Sequence, residues 1–145
     1  LGLQYYDLAA DTTRIVADRY AGFEARARAK EREIEPRALQ LGSWSTDLQL
    51  VLFGHPAHAF CHDVEGLKQD LAALESYVEQ GFEFTPRVLM CKGELARERG
   101  DHSEASRLLQ AAFERDETDH LIRQYSSCAL AQNALESYDY QEAIR

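Results

Sequence analysis

The chain has 145 residues, 45% of them hydrophobic, and its 25 acidic against 16 basic side chains give a net charge of −9. That charge repels phosphate backbones and no apolar run is long enough to cross a bilayer, so direct nucleic-acid binding and a membrane span are both set aside. The length suits one domain, residues 1–145, which buries roughly two thirds of the surface of its unfolded form and folds without staples. Three prolines and eight glycines interrupt it, which favours helix over many short strands, so an all-α chain without β-sheet is expected. Cys61, Cys91 and Cys128 are odd in number and lie in apolar or helical stretches. Reduced, largely buried thiols and a cytoplasmic setting follow as expectations.

Residues 1–43 read as irregular N-terminal helices. Leu3 to Glu33 has helix-forming composition, with Tyr6, Ile15, Val16, Tyr20 and Phe23 as its apolar face, and Gly22 either kinks it or divides it in two. Arg26, Arg28, Lys30 and Arg32 are interleaved with Glu24, Glu31, Glu33 and Glu35, the pattern of a solvated helix face rather than an anion site. Pro36 marks a boundary, followed by a short helix Pro36 to Leu41, a break at Gly42-Ser43 and a helix Ser45 to Phe53. Leu48, Leu50, Val51 and Leu52 would then belong to the core.

The segment Gly54 to Asp63 packs His55, His58, Cys61, His62 and Asp63 together, all ligand types for zinc or a similar metal. A helix opened by Pro56 would put His58 and His62 four residues apart on one face. No second cluster supplies further ligands. The preferred reading is a loop and short helix in which Asp63 caps the next helix and Cys61 packs inside, with no cofactor; a metal-binding or ligand-sensing domain is the alternative.

A repeat runs through the rest. Asp63, Asp101 and Asp139 stand at one interval of 38 residues, each followed four positions on by Leu67, Ala105 and Ala143. In the middle unit Ala105, Leu108, Leu109, Ala112 and Phe113 form one helical stripe, and Glu104, Arg107, Gln110, Glu114 and Arg115 the polar side. Asp101 to Glu104 and Asp139 to Glu142 have capping-box spacing, whereas Gly66 breaks it in the first unit. Partner helices are predicted over Pro86 to Arg99 and Leu121 to Ser137. In them Gly93 and Ala131, one interval apart, let two backbones approach closely.

Gly93, Ala96, Gly100, Asp101, Ala105, Leu109 and Ala112, with Ala131, Ala134, Asp139, Tyr140 and Ala143, resemble the tetratricopeptide repeat (TPR) family. Lys92, Glu117 and the 38-residue spacing depart from its pattern, which has an apolar residue, a proline and a shorter unit there. Gly81 to Asp116, with its Glu79-Gln80-Gly81-Phe82 turn, is also similar to the repeat regions of large bacterial signalling ATPases and regulators. The resemblance implies a right-handed stack of antiparallel helix hairpins, a TPR-like α-solenoid: a degenerate repeat at 44–81, the best one at 82–119 and a truncated one at 120–145. Leu1 is not methionine and Arg145 falls inside the third repeat, so a fragment of a longer protein is expected.

The implied role is a protein-protein interaction or intramolecular regulatory scaffold in a signalling protein. Stacked hairpins present a groove, and its candidates here are Arg87, Lys92, Glu94 and Arg97 with Arg123, Gln124, Ser127 and Asn133. Arg87, Lys92 and Arg123 would meet an acidic peptide. No glycine-rich phosphate loop, Gly-x-Ser-x-Gly elbow or activated Cys-His pair is present, so no enzymatic activity is expected. Self-association into a homodimer through Tyr138, Tyr140 and Ile144 is a further alternative.

Overall fold

In the computed structural model of the chain, the residues described are 2–40, 54–115 and 120–137. Among them every regular element is α-helical and no strand occurs. The helices are α1 (Gly2–Tyr20), α2 (Glu24–Gln40), α3 (residues 54–60), α4 (Val64–Glu79), α5 (Thr85–Glu98), α6 (His102–Arg115) and α7 (His120–Glu136). They divide into two compact units, Leu1–Asp63 and Val64–Arg145. No described helix is long and apolar enough to cross a membrane.

One turn device recurs. Gly22, Gly81 and Gly100 have φ of 77°, 92° and 77°, and in each the glycine N–H and the next N–H bond back to the last turn, as Gly100 does to Arg97 O (2.9 Å) and Asp101 to Ala96 O (3.0 Å). This paired return bonding satisfies the carbonyls a helix end leaves open and needs a left-handed residue, which glycine supplies at least cost. Gly22 therefore divides the N-terminal segment into two helices rather than kinking one. His62 takes the same place after α3 with φ of 56°, its N–H on Ala59 O and that of Asp63 on His58 O.

In the first unit α1 packs on α2 through Leu8, Ile15, Ala27, Ile34 and Ala38. The buried stripe of α1 runs Leu8, Thr12, Ile15, Arg19, so polar residues occupy places the sequence reading gave to Tyr20 and Phe23. Those two are exposed, and Phe23 instead lies under the Arg26 guanidinium, 4.4 Å from the ring centre. Pro36 sits inside α2 and ends nothing. Ile34 and Ala38 on either side of it hold the same face of α2 in the core, and this packing carries the helix through the one hydrogen bond proline cannot make. Arg26 and Lys30, read as a solvated face, cross-brace the hairpin to Asp18 and Asp11. The break at 42–43 and the helix Ser45 to Phe53 lie outside the described residues.

In the second unit α5 packs on α4, α6 and α7, and α6 packs on α7. α4 and α6 begin directly after Asp63 and Asp101, one 38-residue interval apart; Asp139 lies outside the described residues. The Asp101 carboxylate accepts the Glu104 N–H at 3.1 Å, an N-cap. The second half of the expected box does not form, because the Asp101 N–H is already bonded to Ala96 O and the Glu104 carboxylate goes to Arg107. Ala105, Leu108, Leu109 and Ala112 are buried as their spacing predicts, Leu109 and Ala112 with Met90 and Ala129. Cys91 is buried and its thiol donates to Leu67 O at 3.2 Å, whereas Cys61 and Cys128, expected inside, are exposed, Cys61 in the turn that follows α3 and Cys128 off the buried face of α7.

At Gly93 the backbone of α5 lies directly against Leu109 of α6. A Cβ there would lie 2.7 Å from Leu109 Cγ and 3.3 Å from the Leu109 backbone nitrogen. Replacing a mid-helix glycine by alanine ordinarily stabilises by about 1 kcal/mol. Here overpacking outweighs that gain, and Gly93→Ala is expected to destabilise by about 1–3 kcal/mol in urea denaturation. A stabilised Gly93→Ala protein would show that the two helices do not touch at this point.

Candidate functional site

Among the described residues a cleft opens between α4 and α5. Glu75, Val78 and Glu79 share one face of α4, and Thr85, Val88 and Lys92 share one face of α5. Together they line about 410 Å³. Val78 and Val88 supply its apolar lining, and Glu75, Glu79, Thr85 and Lys92 its polar groups. Lys92 Nζ lies 2.7 Å from Glu75, with both side chains more than two fifths exposed. An ion pair this open contributes about 0–1 kcal/mol, so a ligand can displace it at little cost. Beside the cleft, at the α4–α5 turn, Phe82 stacks on Phe84 and Tyr77 meets both rings edge-on.

Of the eight residues assigned to a groove from the sequence, Lys92 lines this cleft and the others lie elsewhere. Arg87, Glu94, Arg97 and Asn133 are buried. Arg97 is a hub, its guanidinium reaching Glu94 at 2.8 Å, Glu136 of α7 at 2.6 Å and Glu98 at 3.0 Å. Burial pushes the Glu94 carboxyl above its ordinary pKa in spite of Arg97. Burial also opposes the Arg97 charge, but Glu94 and Glu136 prevail and raise its pKa. Asn133 donates to His102 O and Ser106 Oγ, both at 2.9 Å, tying α7 to α6. Arg123 lies over the Phe113 ring at 4.6 Å, Ser127 donates to Arg123 O, and Gln124 is exposed. Of these contacts, Arg97 to Glu136, Asn133 to His102 and Ser106, and Arg123 on Phe113 fasten helices to one another.

Of the histidine segment, His58 and Asp63 come together, Nδ1 to carboxylate 2.9 Å. Their third neighbour is Glu24 at the start of α2, one ligand atom from each lying within 4.8 Å of the others. His55 is buried apart from this trio, Cys61 donates to Arg19 O at 3.3 Å and His62 forms the turn. Glu24 was not found from the sequence, because it stands 34 positions from His58 and no local spacing joins them. The trio has counter-charge already: Arg28 bonds both Glu24 and Asp63, and Arg19 bonds Glu31 and lies 3.6 Å from Glu24. Two guanidinium groups where a cation would sit make this a charge-balanced bridge between α2 and α3 rather than a strong metal centre.

Burial, then the Arg19 charge, depress the His58 pKa, and the nearby Asp63 only partly offsets them. The native state thus holds His58 neutral while the unfolded chain takes up its proton first. Stability from this group is full above the ordinary histidine value of about 6.5 and declines as pH falls through that range. A urea midpoint lower at pH 5.5 than at pH 7.5 is expected, with His58→Gln flattening the difference; an unchanged slope in that variant would clear His58 of the effect. At the other network, Arg97→Met should cost about 3–5 kcal/mol by leaving Glu94 buried without its cation, and adding Glu94→Leu should recover most of that loss. Equal losses in the single and double variants would deny the pairing. Compared with known proteins, the chain matches no family model, no curated protein and no solved structure.

Proposed function

We propose that the chain is a non-catalytic scaffold, a right-handed TPR-like stack of hairpins in a larger signalling protein, which binds a segment of another protein or of its own polypeptide in the α4–α5 cleft. The observation that carries this reading is the layout of the second unit. There α5 packs against α4, α6 and α7, and its Gly93 meets Leu109, a small residue against a large one at the positions where the repeat pattern has them.

The lining of the cleft selects the occupant. Two carboxylates against one ammonium leave it acidic, over apolar Val78 and Val88. A segment carrying a lysine or arginine next to an aliphatic side chain fits, its cation on Glu79 and, once Lys92 is displaced, on Glu75. An acidic peptide has less to hold it, since Lys92 is on Glu75, Arg123 on Phe113 and Arg87 inside.

Binding of a peptide array with mixed cationic and aliphatic sequences tests this. Glu79→Lys, an exposed change, should weaken the best binders about tenfold or more, whereas Arg123→Glu should leave them unchanged. Preference for acidic peptides, lost on Arg123→Glu and kept on Glu79→Lys, would move the site out of the cleft.

A further inference from the structure

The α4–α5 cleft holds one internal ion pair and one open carboxylate. Lys92 Nζ lies 2.7 Å from a Glu75 carboxylate oxygen, with the two side chains 43% and 45% exposed. Glu79 stands one helical turn further along α4 on the same face, is exposed, and its carboxylate forms no ion pair or hydrogen bond among the described residues. Side chains at this spacing have Cβ atoms about 5–6 Å apart, so the α4 wall presents two carboxylate seats, one of which the chain fills with its own lysine. Val78 lies between the two glutamates on α4, and Val88 one turn before Lys92 on α5. An aliphatic ammonium on a carboxylate, in a cleft lined by valines, is thus an arrangement the chain already makes with its own side chain.

Resting on the reading of this cleft as the seat of a cationic segment, we propose that Lys92 sets how many cations the occupant can bring, and holds that number to one. With Lys92 in place Glu75 is neutralised, and the lining keeps one uncompensated negative charge, on Glu79. A first ligand cation takes Glu79. A second, placed to reach Glu75, has to displace Lys92 and exchanges one ammonium for another, which brings little net gain. Removing the Lys92 charge alters the balance. The lining then has two carboxylates and no ammonium, and Glu75 becomes a second attractive seat. A helical occupant matches both seats, since it satisfies its own backbone groups against walls made of side chains and repeats its cations at the same one-turn spacing as Glu75 and Glu79. The exposure of the Lys92 to Glu75 pair suits this role better than that of a fastening between α4 and α5, because so open a pair holds helices weakly.

The test uses the full chain and two capped helical peptides that differ at one position: the first carries a single lysine beside leucines, and in the second another lysine stands four residues further on. Affinities are measured by fluorescence polarisation at one fixed ionic strength, because exposed charges are screened by salt. The gain conferred by the second lysine is expected to be at least about fivefold larger for Lys92→Gln than for the unaltered chain. Adding Glu75→Gln should abolish that excess, and Lys92→Arg, which keeps the charge, should behave as the unaltered chain does. Urea midpoints should agree across these variants, since each change is at an exposed side chain. Two outcomes overturn the inference: a second-lysine gain that is the same with and without Lys92, or a lowered midpoint in Lys92→Gln with both peptides weakened alike, which makes the pair a helix fastening. Glu79→Lys separates these failures from failure of the site. If it weakens the single-lysine peptide, the cleft stands without the role given to Lys92; if binding is absent or indifferent to Glu79→Lys, the cleft and that role fall together.

Discussion

The approach of α5 to α6 at Gly93 is the constraint on which the second unit rests. With no Cβ in the way, the Leu109 side chain lies directly against the α5 backbone, and the distance between these helices follows from that contact. Once it is fixed, Leu109 reaches a common core with Met90, Ala112 and Ala129, and α7 finds its place against both. A larger residue at 93 would push the helices apart, and every downstream contact would lengthen with it, because close-packed interiors have little slack to absorb a displaced backbone.

Much of what joins the helices is polar. Arg97 between Glu94 and Glu136, Asn133 between His102 and Ser106, and Arg19 and Arg28 among Glu24, Glu31 and Asp63 all lie at helix junctions. Apolar contacts would supply comparable stability, but they are tolerant of sliding. A fork of charged hydrogen bonds is satisfied in one register. In both units, then, alanine-rich apolar seams bring the helices together and directional bonds choose how they sit.

Periodic features were legible in the sequence and non-local ones were not. The stripe Ala105, Leu108, Leu109, Ala112 and the helix start at Asp101 could be read because each depends on neighbours a few residues away. The close-approach role of Gly93 was legible for a similar reason, as a small residue set in an otherwise regular pattern. Glu94, Arg97 and Asn133 were read as groove residues because a polar side chain at helical spacing looks the same whether it meets water or a partner 30 to 40 positions away. Pro36 misled in the opposite direction: its local preference was overruled by Ile34 and Ala38, whose burial the breaker rule ignores. The place of Glu24 beside His58 and Asp63 had no sequence signature, since it stands 34 positions from His58 along the chain.

The Arg97 hub also bears on how the second unit comes apart. Its Glu136 partner is in the last turn of α7, while Glu94 belongs to α5. Peeling α7 away would strip the guanidinium of one carboxylate and admit water to the other, so partial detachment is penalised more than its few apolar contacts alone imply. Amide protons of α5 and α7 should accordingly exchange with solvent through one shared opening, with similar protection factors, instead of fraying helix by helix from the α7 end.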